Sequence, residues 1–255
     1  MMPDTERRRF LARAAAAGGA AMLGGCDRLS AGGWLPPILE SAERLTRPAQ
    51  KLVAPRTALA QEFSEADLSP VFRSNGTSNP ADPRYQALAA AGFAGYRLAV
   101  SGLVDRPARF SLMQLRALPS RTQITRHDCV EGWSAIAKWK GARLGALLAA
   151  VRPRPQARYV VFYCADPMDA QGTRYYESID LDEARHEQTI LAYELNGSAL
   201  PVANGAPLRL RVERQLGYKM AKYVMAIEVV DSFAHIGAGK GGYWEDLGYE
   251  WYAGI

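Results

Sequence analysis

Cysteine is scarce in this chain: three in 255 residues, at positions 26, 129 and 164, with no two in a C-x-x-C spacing. That excludes a c-type haem attachment and leaves too few thiolates for an iron–sulfur cluster. Histidine is equally scarce, at 127, 186 and 235, too far apart for a zinc site built from neighbouring ligands. Internal repeats and low-complexity blocks are missing. No apolar run approaches the roughly 20 residues that a helix needs to cross a bilayer. The Gly-rich GAGKGG at 237–242 is not a phosphate loop, because Ala234 holds the first glycine position and Gly241 follows Lys240 where Ser or Thr belongs. It also lacks the helix-opening context of a dinucleotide fingerprint.

A charge excess is nearly lacking too. The formal net charge is +5, and the first 25 residues hold part of it as Arg7, Arg8, Arg9 and Arg13 against Asp4 and Glu6. The remainder is a mildly basic solvated surface, so no nucleic-acid partner is expected.

What is present begins with that basic start. Arg7-Arg8-Arg9-Phe10-Leu11 fits the twin-arginine export pattern, and the apolar stretch Ala14 to Leu23 is too short to span a membrane. Leu23-Gly24-Gly25-Cys26 reads as a lipobox, which would lipidate Cys26 and anchor a periplasmic protein to the membrane. The division expected is a twin-arginine signal peptide over 1–26, a linker or surface-wrapping segment over 27–69, and one domain over 70–255.

Within the domain, strands are expected at 96–104, 121–129, 157–165, 173–179, 189–195, 208–213 and 222–230, from alternation or continuous apolar runs. Short helices are expected from Ser111 to Leu118, over 142–151 with Leu144, Leu147 and Leu148 on one face, and over 181–186. Many strands with few short helices make an α+β domain of mixed β-sheets.

Two stretches can carry chemistry. Cys129 lies between Arg126-His127-Asp128 and a tryptophan-bearing apolar run. A lone buried thiol is most often a small hydrophobe, but Arg126 and His127 would favour its thiolate, suited to a soft metal or to nucleophilic attack. A cysteine hydrolase using His127, His186 or His235 as base therefore stays open, as does a disulfide between Cys129 and Cys164. The second stretch, 204–224, gathers Asn204, Arg209, Lys219 and Lys222 around Gly217, a set of donors fit for a phosphate.

The segment HDCVEGWSAIAKWKGARLGALL closely resembles the molybdenum-ligating segment of the sulfite oxidase superfamily, in the exported bacterial branch that includes the catalytic subunit of periplasmic methionine sulfoxide reductase. C-V-E-x-W-S and W-x-G fall at Cys129, Val130, Glu131, Trp133, Ser134, Trp139 and Gly141. N-G-x-P-x-R falls at Asn204, Gly205, Pro207 and Arg209, and G-[FY]-K-x-x-K at Gly217, Tyr218, Lys219 and Lys222. The resemblance implies a sulfite oxidase-type molybdopterin-binding fold and a molybdenum–molybdopterin cofactor. Cys129 would be the protein ligand of the metal. Asn204, Arg209, Met220, Ala221 and Lys222 would contact the pterin and its phosphate, and Asn75 would reach the cofactor from the N-terminal side. Cys164 stands where the related reductase carries a hydroxyl residue beside the cofactor, so it is a further candidate contact, and a disulfide with Cys129 in cofactor-free protein stays open.

The activity implied is two-electron redox or oxygen-atom transfer on a small sulfur- or nitrogen-oxide substrate. Electrons would be exchanged with a membrane haem-b subunit or a soluble cytochrome, and the chain would be monomeric. The alternative is a non-enzymatic exported lipoprotein that keeps the fold as a binding module.

Overall fold

The computed structural model describes residues 57–255 and, alone before them, Ile38. The signal peptide, its Cys26 and the linker up to residue 56 lie outside the described residues.

In chain order the described elements are α1 (Pro83–Ala90), β1 (Arg97–Gly102), β2 (Ala108–Ser111), α2 (Leu112–Ala117), β3 (Ser120–Cys129), β4 (Trp133–Arg143) and α3 (Leu144–Val151). There follow β5 (Tyr159–Pro167), β6 (Arg174–Asp180), α4 (Leu181–Arg185), β7 (Ile190–Leu195), β8 (Ser198–Ala199), β9 (Arg209–Arg211), β10 (Val224–Val230) and α5 (Tyr243–Asp246). One sheet runs β2-β1-β10-β5-β6. The other runs β3-β4-β7, with β8 and β9 both paired to β7. Only β1 with β10 is parallel among these pairs, so the α+β class with mixed sheets and short helices holds.

The expected helices form for the expected reasons. Ser111 Oγ accepts from Gln114 N at 3.2 Å while Gln114 Oε1 accepts from Ser111 N at 2.8 Å, a reciprocal cap that starts α2. In α3, Leu144, Leu147, Leu148 and Val151 repeat at helical spacing and are all buried. Each contributes on the order of 1.5–3 kcal/mol by leaving water. They pack with Leu98, Phe162, Leu191 and Ile227, so strands of both sheets meet over one core.

Strands β2, β4 and β8 form where none was expected, and two of the expected strands are shorter than anticipated. The strand anticipated over 208–213 is only Arg209–Arg211, and both of its faces are buried: Leu208, Leu210 and Val212 enter the core while Arg209 and Arg211 lie over the Trp139 ring, at 5.4 and 4.4 Å. The strand anticipated from 222 begins at Val224, because Tyr223 sits at φ 54°, outside the extended region. Residues 57–69 lie along the second sheet. Glu62 bridges to Thr125 of β3, and Gln188 bonds both N and O of Ala60.

Candidate molybdopterin site

β3 and β4 form a hairpin whose last pair is Cys129 with Trp133. The loop between them is Val130-Glu131-Gly132. Gly132 takes φ 84° and donates to Cys129 O at 3.0 Å, a left-handed position that suits glycine. The tip holds Cys129 on the wall of a cavity of about 220 Å³, with 9% of its surface exposed.

The opposite wall comes from the turn Gly217–Lys219 and from Met220. Gly217 is required there by close approach: a Cβ would stand 2.4 Å from His127 Cε1. Asn75, Gly76 and Thr77 close a third side, and Asp166, Tyr175, Trp244 and Tyr249 line the remainder.

Of the residues singled out from the sequence, Asn75, Cys129, Met220 and Lys222 meet on this cavity. Asn204 and Arg209 stand directly behind its wall. Arg209 Nη1 donates to Asn204 O at 3.2 Å and its Nη2 to Asn75 Oδ1 at 3.3 Å. Lys222 Nζ donates to the carbonyls of Asn75, Thr77 and Ala203, which clamps the loop carrying Asn75. Ala221 lies between them, buried, and its carbonyl accepts from Leu210 N at 2.8 Å.

Cys164 is a correction. It belongs to the main core, 1% exposed, because β5 turns that face inward; it lines no part of the cavity. Its thiol is free, as is that of Cys129, so the two are not paired here. A second correction concerns the thiolate. Arg126 points to the opposite face of β3 and pairs with Asp128 at 3.0 Å. His127 is held neutral by burial and by Arg209 and Arg211, with Arg211 donating to its Nδ1 at 3.0 Å. Burial raises the Cys129 thiol above its ordinary value, and the groups that oppose this are the backbone at Glu131 and the cations Arg209 and Lys222. Lys219, counted among the phosphate donors, turns away to Glu177 and Glu245.

Asp166 and Tyr175 are cavity residues that the sequence did not mark, whereas Glu131 belongs to the C-V-E-x-W-S motif. Asp166 lies where the β5–β6 register is irregular, between Tyr163 and Pro167, and burial pushes its carboxyl up to about 6.

The donor set suits an anionic cofactor. Arg209 and Lys222 are buried, yet neither forms an ion pair with a carboxylate among the described residues. Arg209 Nε and Asn204 Nδ2 are buried without any acceptor. A buried guanidinium and a buried amine without carboxylate partners, with two orphaned donors beside them, are costly unless an anion joins them. A pterin phosphate supplies that anion. The described residues hold no cluster of three or more His, Cys, Asp or Glu that could bind a bare metal ion. One accessible thiol fits a metal that brings its remaining sulfur ligands with it. The residues present fit the group.

Lys222 gives a direct check. Burial and the neighbouring Arg209 lower it to about 7 from 10.5, so in anion-free protein it is mostly neutral between those values while the unfolded chain is charged. An anion seated beside it restores the charge. Phosphate binding at pH 8 is therefore expected to take up close to one proton, seen as a calorimetric enthalpy that changes with the buffer's heat of ionisation. At pH 6 the uptake should disappear, and in Lys222→Met it should be absent at both values. Uptake that persists in the variant would show another group titrating.

A thiol beside an anion cradle, on mixed sheets, suits an enzyme that holds a soft metal through an anionic cofactor. Residues 86–235 match the family described as "Oxidoreductase molybdopterin binding domain", and the chain belongs to it. It is 38% identical over 248 residues to a protein of Azospira oryzae provisionally named protein-methionine-sulfoxide reductase subunit YedZ1, covering 97% of this chain and 87% of that one. It is also 38% identical over 157 residues to the protein-methionine-sulfoxide reductase catalytic subunit MsrP of Xanthomonas campestris pv. campestris, covering 58% of this chain and 47% of that one. The chain thus spans about half the length of that catalytic subunit. Among solved structures, the sulfane dehydrogenase SoxCD of Paracoccus pantotrophus aligns over 55% of this chain and 39% of its own, at TM-score 0.48 and 24% identity, too distant to carry residue roles. Family membership makes the chain an enzyme with molybdopterin as cofactor, so the non-enzymatic lipoprotein alternative gives way. A cysteine hydrolase lacks its base, since no histidine lines the cavity beside Cys129.

Proposed function

We propose that this chain is the exported catalytic subunit of a reductase acting on neutral sulfoxides. The observation that carries this reading is the charge of the cavity wall. Its lining holds one cation, Lys222, whose ammonium is already engaged by three carbonyls, against the carboxyl groups of Glu131 and Asp166. The rest is apolar or aromatic: Val130, Met168, Met220, Tyr175, Trp244 and Tyr249. The basic residues that a sulfite site would gather are elsewhere. Arg126 pairs with Asp128, Arg174 with Asp82, and Lys240 lies off the cavity wall.

The bound cofactor would supply the two-electron redox change. The chain does the rest. Cys129 would hold the metal, while Asn75, Asn204, Arg209 and Lys222 would hold the pterin and its phosphate. Trp244, Tyr249 and Val130 would exclude water from the sulfoxide, and Asp166, poised near neutrality, would hold a proton for the departing oxygen. Electrons would come from a membrane haem-b subunit or a soluble cytochrome, a reading supported by relatives that are named as subunits. The twin-arginine pattern at Arg7-Arg8-Arg9-Phe10-Leu11 and the lipobox ending at Cys26 support export to the periplasm, where Cys26 would carry a lipid tether.

A carboxylate about 4 Å from a sulfite oxygen, at an effective dielectric near 20, opposes binding by about 4 kcal/mol. A discrimination of about 10²-fold or more in kcat/KM therefore favours a neutral sulfoxide. The test is loaded protein assayed in both directions: methionine sulfoxide reduction with a reduced dye, and sulfite oxidation with an oxidised one. Faster sulfite turnover would overturn the reading.

A further inference from the structure

Beneath the cavity lies a second cluster of charges that holding the cofactor does not use. Lys219 Nζ donates to Glu177 Oε1 and to Glu245 Oε1, both at 2.5 Å, and none of the three side chains has any solvent exposure. One ammonium facing two carboxylates leaves a buried net charge of −1 if both are ionised. Burying even one uncompensated ion costs several kcal/mol. Glu245 Oε2 is buried with no donor, the mark of a missing proton. Burial is the largest influence on Glu177, raising it well above the ordinary carboxylate range; the second carboxyl adds to this and Lys219 opposes it.

The Gly-rich loop 237–242, which has no nucleotide to bind, closes this cluster. A Cβ on Gly242 would stand 2.0 Å from Glu245 Oε2 and 2.9 Å from Glu177 Oε1, so only glycine lets the backbone seal the two carboxyls together. One way leads out. Tyr175 Oη is 3.3 Å from Glu177 Oε2, and Tyr175 lines the cavity. Its hydroxyl hydrogen is directed at Tyr218 O, which leaves the oxygen lone pair free to accept from a protonated Glu177.

The geometry points to a proton store: Glu177, Glu245 and Lys219 share one acid hydrogen, and Tyr175 passes it to the Cys129 cavity. The inference rests on the sulfoxide reading for its use. Reduction breaks the S–O bond, two electrons from the reduced partner reach sulfur, and the oxygen leaves as water with two protons. Asp166 on the wall holds one. The store supplies the second: the Tyr175 hydroxyl turns its hydrogen from Tyr218 O to the cavity and releases it there as Glu177 protonates Tyr175 Oη. Glu177 thus acts through Tyr175. The titratable groups that sense it are Lys219, Glu245, Tyr175, Tyr176, Tyr218 and Cys164, and among them only Tyr175 and Tyr218 reach the cavity wall.

Infrared spectroscopy of the full chain, loaded with cofactor and free of substrate, tests the store without turnover. Wild type should show the C=O stretch of a buried carboxylic acid at neutral pH, shifting on transfer to D₂O. Glu177→Gln should lose that band. Tyr175→Phe, which leaves the three charges in place, should keep it but exchange its hydrogen at least tenfold more slowly. In turnover, both variants should lower kcat about 10²-fold, the lower end for losing a positioned acid, with KM and molybdenum content unchanged. Absence of the band in wild type, or equal exchange in Tyr175→Phe, would overturn the store. A wild type that shows the band but reduces no sulfoxide would overturn the sulfoxide reading alone.

Discussion

Cys129→Ser is expected to empty the protein of molybdenum and to bring turnover to background, with the fold intact. The exchange swaps one atom at the tip of a hairpin whose pairing, from Ser120 with Ala142 to Cys129 with Trp133, does not depend on that sulfur. What changes is the donor. A soft thiolate holds a thiophilic metal, and a serine hydroxyl, far less acidic, does not replace it. The wild-type thiol is itself raised by burial, so coordination and not the neighbouring cations must take its proton, and loading should release one. Elemental analysis decides the matter. About one molybdenum per chain in wild type and almost none in the variant is the expected result. Cys164→Ala is the matched control, since its thiol packs in the core away from the cavity, and it should keep its metal. A Cys129→Ser protein that retained molybdenum would refute the ligand assignment.

Much of this was legible in the sequence because it was local. Strand β3 and the position of Cys129 at its end follow from alternation over 121–129. Helix α3 follows from leucine spacing, and α2 from the Ser111 and Gln114 pair. β4 was not legible. Its inward side is Ala135, Ala137, Trp139 and Gly141, and small residues with one tryptophan do not stand out as a strand face. The burial of Arg209 and Arg211 was not legible either: Trp139 and Phe72 cover them, contacts supplied by segments 70 and 137 residues away. Lys219 was drawn toward the phosphate by its motif. Its actual partners, Glu177 and Glu245, lie 42 and 26 residues distant on separate elements, and no local pattern could have joined them. Asp166 and Tyr175 entered the cavity in the same way, through the meeting of β5 and β6 rather than through spacing.

Arg209→Met should separate two properties that usually fall together: the cofactor-free protein should become more stable while cofactor is lost. The guanidinium is fully buried, its Nε has no acceptor, and its hydrogen bonds go to neutral oxygens of Asn75 and Asn204. Burial lowers it to about 9, with Arg211 pushing the same way, so at pH 7 it is a charge held against its preference. The flexible methionine fills much of the space between Phe72 and Trp139, and its sulfur suits aromatic neighbours. Removing the unpaired charge should add about 2 kcal/mol, below the several kcal/mol that such a burial costs before relaxation. That corresponds to roughly 4–8 °C in Tm for a domain of this size. Loaded protein should respond with the opposite sign. There the guanidinium faces a phosphate, a charge-assisted contact stronger than a neutral hydrogen bond, and the variant should retain less cofactor and melt at nearly the same temperature with or without it. Parallel melts of wild type and variant, each with and without molybdopterin, read both effects. A cofactor-free Arg209→Met that melts below wild type would mean that the guanidinium stabilises the empty fold, and Arg209 would then be a structural residue rather than a waiting partner for an anion.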